Sequence, residues 1–76
     1  LDWHDHITSD PKIMLGKPCF RGTRVPVYLI LQKFAYGERE ENLLAGYPGL
    51  TKESIQAVQL FAVDAANNDI VYPAVP

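Results

Sequence analysis

"RVPVYLILQKFAYG", Arg24 to Gly37, is the stretch in which the hydrophobic period of the chain changes. Before it, apolar residues come singly or alternate with polar ones, as in short strands. From Val27, the positions Leu29, Ile30, Lys33, Phe34 and Gly37 recur at three- and four-residue spacing, which winds one side of a helix against a core. Pro26 suits the first turn, where a missing N–H costs nothing and a fixed φ helps. Gly37 suits the position just past the end, where the backbone turns left-handed. The stretch predicts a helix over residues 27–36. It divides the chain into an extended front and a helical body.

Downstream, Glu38, Glu40 and Glu41 place negative charge where a helix N-terminus favours it. A second, short helix is expected over 38–45, ended by Gly46, Pro48 and Gly49. Thr51 is a good N-cap for a third helix over 52–67, with Asn67-Asn68 as its exit. The tail "DIVYPAVP" cannot be helical through its prolines, and "IVY" is a short strand candidate. The expected fold is mainly α: three helices, with "GYPGLT" joining the last two as in a helix-turn-helix, behind short N-terminal β-strands. The expected divisions are a β extension over 1–25, the helical domain over 26–68 and an extended tail over 69–76.

Upstream, "HIT" and "KIM" are short apolar alternations separated by the turn signal Ser9-Asp10-Pro11. "GKPCFRGTR", Gly16 to Arg24, reads as a turn-strand-turn unit: Gly16 and Gly22 supply positive φ and Pro18 stiffens the chain between them. It is no Walker loop, because Thr23-Arg24 and not Lys-Ser/Thr follow its second glycine.

Charge is unevenly placed. Lys12, Lys17, Arg21 and Arg24 lie between Pro11 and Arg24 with no acid among them, while the remainder sets Lys33, Arg39 and Lys52 against nine acids. The result is a basic front on an acidic body with a formal charge of −2, which argues against strong nonspecific nucleic-acid binding. A rigid ribbon would still point Lys17, Arg21 and Arg24 outward, as phosphate or acidic-partner contacts. On the third helix, Ile55, Val58, Phe61, Ala62 and Ala65 form the core stripe, and Lys52, Gln56, Gln59, Leu60 and Val63 fall opposite. Lys52, Gln56 and Gln59 suit base edges. Leu60 and Val63 suit a protein contact.

The totals set further bounds. The 76 residues allow one domain, and one this short buries only about 60% of its unfolded surface. With 47% hydrophobic residues and unpaired N-terminal strands, a homodimer is expected. Cys19 is the sole cysteine, so no internal disulfide is possible and a reducing, cytoplasmic setting fits. No apolar run is long enough to cross a membrane, and "LDWHDH" is not the start of a signal peptide. The first residue is Leu1 and not Met, so the chain is expected to be either trimmed or incomplete at its start.

Catalytic readings are weak. His4 and His6 are two potential metal ligands without a third, and are read as exposed terminal histidines. Cys19 has no sequence-near base and reads as a buried, inert thiol. Asp64 and Asp69 read as solvated. No nucleophile, base and orienting group come together, so no enzyme and no cofactor are expected.

The pattern I-x-x-x-P, G-x-P-x-x-x-G-T-R-[IV]-x-V, a helix ending in Gly, a short acidic helix, Y-P-x-L-T and a last helix resembles the domain of unknown function 433 family. Ile7, Pro11, Gly16, Pro18, Gly22, Thr23, Arg24, Val25, Val27, Gly37, Tyr47, Pro48, Leu50 and Thr51 carry the likeness, which leaves out only the two ends of the chain. The resemblance implies a three-helix, homeodomain-like fold and an antitoxin of a bacterial toxin–antitoxin pair, whose usual neighbour is a PIN-like, metal-dependent nuclease. It transfers no catalytic residue. The expected phosphate and base contacts are Lys12, Lys17, Arg21, Arg24, Lys52, Gln56 and Gln59, on operator DNA. The expected toxin contacts are Leu60, Val63, Ile70, Val71 and Tyr72. The tail is apolar yet lies beyond the last helix, and "IVY" suits strand addition to a partner's sheet. The alternative is a protein-binding module that never touches DNA.

Overall fold

The computed structural model of the chain describes residues 1–68. They form a 3-10 turn (Trp3–Asp5), β1 (Ile7–Thr8), β2 (Cys19–Phe20), α1 (Val27–Ala35), α2 (Glu40–Gly46) and α3 (Lys52–Asn68). The architecture is a small helical bundle with N-terminal strands. The expected "IVY" strand falls on residues 70–72, outside the described residues.

β1 and β2 are antiparallel, with Ile7 opposite Phe20 and Thr8 opposite Cys19. On its other side β2 meets the segment leading into α1, through a bridge from Cys19 to Pro26. "KIM", expected to be extended, turns instead. Asp10 accepts from the Lys12 N–H through its side chain (2.9 Å) and from the Ile13 N–H through its backbone (2.8 Å). Pro11, beside it, has no N–H to give a ladder, so "CF" rather than "KIM" pairs with "HIT".

α1 ends two residues before Gly37, whose φ is +87°. The Gly37 N–H donates to Phe34 O (2.9 Å) and the Glu38 N–H to Lys33 O (2.9 Å). This is a Schellman closure, and it uses Glu38 outside any helix. For that reason α2 starts at Glu40, with Arg39 as its cap, and not at residue 38. α3 starts where expected. The Ser54 N–H donates to Thr51 Oγ1 (3.2 Å), and the Thr51 N–H donates back to Ser54 Oγ (3.1 Å), a capping box with serine at its third helical position.

The core joins ribbon and helices: Ile7 and Phe20 from the strands, Val27 and Ile30 from α1, Leu43 and Leu50 around α2, and Ile55, Ala57 and Val58 from α3. A sheet of two two-residue strands would not hold alone, and here the helices cover its apolar face. On α3 full burial stops at Val58. Phe61, Ala62 and Ala65, expected in the core stripe, are only partly covered.

Candidate binding surface

The ribbon is fixed by its turn. The Thr23 N–H donates to Phe20 O (3.0 Å), closing a four-residue turn. Gly22 sits third in it at φ +79°, the position that demands glycine in a type II turn. The Thr23 hydroxyl donates to Phe20 O (2.8 Å) and accepts from the Val25 N–H (3.0 Å). Gly49, in the turn before α3, lies so close that a β-carbon there would stand 3.0 Å from the Thr23 methyl. Thr23 is thereby seated against the turn that precedes α3.

Lys12, Lys17, Arg21 and Arg24 are all exposed, as the rigid-ribbon reading expects. They are not equivalent. Arg21 turns its guanidinium onto the preceding 3-10 turn, with Nε donating to Asp5 O (3.2 Å) and a terminal nitrogen to His4 O (2.9 Å). Its backbone N–H also holds His6 O (2.8 Å). Arg21 is first a structural clip. Lys17 holds its ammonium 4.9 Å from the centre of the Tyr28 ring, a cation–π contact. Lys17 and Arg24 share one concavity of about 330 Å³ with Thr8, Asp10 and Ile13. Cys19 forms part of its wall and is buried. Among the described residues, neither Lys12, Lys17 nor Arg24 has a carboxylate within ion-pair distance.

On α3, Lys52, Gln56 and Gln59 are exposed, and so are Leu60 at 36% and Val63 at 62%. Acids crowd the helix-turn-helix: Glu38, Glu40, Glu41 and Glu53 are exposed there, and Arg39 is spent on Glu41 (3.2 Å). The other expected partner contacts, Ile70, Val71 and Tyr72, lie outside the described residues.

Sequence reasoning missed Trp3. Its ring meets Phe61 edge-on at 5.0 Å, and its Nε1–H donates to the Asp64 carboxylate at 2.7 Å. Asp64, expected to be merely solvated, is the acceptor that lets a tryptophan lie on α3. The signal was there in principle: a lone Trp at the front of an apolar-rich chain needs both a surface and an acceptor. His4 stacks on the other side of Trp3 at 3.7 Å. Its Nδ1 bonds Asp2 at 2.7 Å and its backbone N–H does so at 3.0 Å. Those bonds, the side-chain one first, hold the Asp2 carboxyl below its ordinary 3.8. Among the described residues, no three of His, Cys, Asp and Glu converge to hold a metal ion. No described helix is long and apolar enough to cross a membrane.

Residues 7–62 match the family model described as protein of unknown function (DUF433). The chain belongs to the DUF433 family. A curated relative, "Uncharacterized protein y4eO" of Sinorhizobium fredii (strain NBRC 101917 / NGR234), is 41% identical over 56 residues. That is 74% of this chain but 25% of the relative, so the chain spans about a quarter of that protein's length. The crystal structure of a DUF433 member protein from Anabaena variabilis ATCC 29413 has a TM-score of 0.73 at 31% identity, covering 84% of this chain and 60% of that one. The DUF433 segment holds both strands, α1, α2 and most of α3. Trp3 and Asp64 stand on either side of it, so the clamp they form lies outside the pattern that carried the resemblance.

Proposed function

We propose that this DUF433 chain is a non-catalytic binding domain of the antitoxin type: it neutralises a PIN-like nuclease by protein contact, acts as a homodimer and works in the cytoplasm. The observation that carries the reading is the exposed apolar pair Leu60 and Val63 on α3, beside a helix pair whose outer surface is acidic. A base-reading pair of α2 and α3 would have to bring exposed Glu40, Glu41 and Glu53 toward phosphates, which costs association. A protein partner faces no such penalty, and apolar residues on an outward helix face favour it. The class of partner is the one that the resemblance to the DUF433 family implies.

A second contact, with operator DNA, is supported by the ribbon alone: Lys12, Lys17 and Arg24 are exposed and lack carboxylate partners among the described residues. In that reading Lys52, Gln56 and Gln59, exposed on α3, would be the groups nearest the bases. Co-expression with the product of the neighbouring gene tests the main proposal. A complex that survives purification and no longer cleaves RNA is expected. A nuclease that neither co-purifies nor loses activity would overturn it.

A further inference from the structure

The turn before β2 is built from residues that turns normally avoid. Met14 (φ +52°) and Leu15 (φ +58°) are both in the left-handed region, followed by Gly16 at +83°. Glycine, asparagine or aspartate would hold this backbone with less strain. The turn is nevertheless well closed: the Gly16 N–H donates to Ile13 O (3.0 Å) and the Lys17 N–H to Met14 O (3.1 Å). Leu15 gains nothing from the fold in return, since it is 94% exposed, and Met14 is exposed as well. A strained backbone that presents two large apolar side chains to solvent is a feature the isolated domain does not need.

The surroundings say what would cover it. Lys12 and Lys17 flank the tip, both exposed, and no acid lies between Pro11 and Arg24. The nearest acid before them, Asp10, has its carboxylate bonded to the Lys12 N–H (2.9 Å). Lys17 also borders a shallow apolar groove of about 230 Å³ lined by Pro18, Val27, Tyr28, Leu31 and Phe61. Phe61 brings α3 into this groove from its core-facing side, so apolar surface runs from Lys17 across α1 to that helix. We infer that Leu15 is the anchor of a protein contact: it enters an apolar pocket on a partner whose rim carries carboxylates facing Lys12 and Lys17. A few residues buried at the centre of an interface carry most of its binding energy, inside a polar rim. A DNA duplex fits less well, because the apolar surface continues into the groove where a duplex would offer only phosphates.

This inference rests on the protein-binding reading above, and the partner used is the nuclease encoded by the neighbouring gene. The test is Leu15→Asn, compared with the unaltered chain by calorimetric titration and by thermal melting. Asparagine tolerates the left-handed backbone, so the melting temperature stays the same or rises. Affinity for the nuclease falls about ten-fold or more. A merely structural Leu15 would give the opposite signs. Affinity unchanged within roughly two-fold overturns the anchor while leaving the binding reading intact. A nuclease that fails to bind the unaltered chain overturns both. Anisotropy on a short labelled DNA duplex closes the remaining route: if Leu15→Asn abolishes duplex binding and spares the nuclease, the tip is a DNA wedge and the anchor is wrong.

Discussion

Arg21 shows how a residue chosen for its charge turns out to be spent on the backbone. Its guanidinium satisfies two carbonyls of the first turn, and that turn carries Trp3 onto α3. Arg21→Ala should cost about 1 kcal/mol, less than a buried charged bond because the site is exposed. Arg21→Lys should recover little, since one ammonium cannot reproduce the planar fork. Urea unfolding checks this, and Trp3 emission should shift to the red in step, because it is the chain's one tryptophan. Asp64→Ala should give the same red shift and, by removing the indole's acceptor, a destabilisation of about 1 kcal/mol. Asp2 adds a pH signature. Its folded pKa lies below its ordinary 3.8, so its contribution is present above that value and fades as pH falls through the folded pKa. Asp2→Asn should remove that part of the acid sensitivity, as followed by Trp3 fluorescence on acidification from neutral pH.

The elements differ in how plainly the sequence announced them. α1 and α3 were legible because their signals are local: Pro26 and Gly37 bracket one, Thr51 caps the other, and the apolar period is sustained between. α2 was found but misplaced at its start, because Glu38 completes the Schellman closure of α1 and is unavailable to α2. The strands were less legible. Two residues carry almost no period, and whether "KIM" or "CF" pairs with "HIT" depends on Asp10 and Pro11 turning the chain first. The Trp3–Asp64 clamp was not legible, as the two residues stand far apart in sequence and meet only through tertiary packing. Of the candidate site, the exposure of Leu60 and Val63 followed from helical spacing and that of Lys17, Arg21 and Arg24 from the turn-strand-turn reading, but the use of Arg21 did not. Two substitutions test the element boundaries. Gly37→Ala meets nothing within 4 Å, so its cost is backbone alone, about 1 kcal/mol. Ile30, wholly buried at the centre of α1, should cost about 2–5 kcal/mol as Ile30→Ala. Chemical denaturation separates the two by that margin.

At the scale of the whole molecule, a basic ribbon is mounted on an acidic helical body, and the two are joined through a core that both contribute to. Leu15, Leu60 and Val63 are exposed, and in the proposed reading they face another chain. Light scattering at micromolar concentration should give the mass of a dimer. If operator DNA is bound, replacing Lys12, Lys17 and Arg24 by Gln should weaken it for all sequences. The salt dependence should flatten as well, by a slope of roughly 0.9 for each phosphate that is no longer neutralised. The central claim, however, is a protein contact through α3, and one titration reaches it most directly. The chain carrying Leu60→Asp and Val63→Asp is titrated calorimetrically against the nuclease from the neighbouring gene, after circular dichroism has shown that its helices are intact. Both positions are exposed, so the fold should persist while affinity falls about ten-fold or more. A folded double variant that binds and inhibits the nuclease as tightly as the unaltered chain would contradict the account.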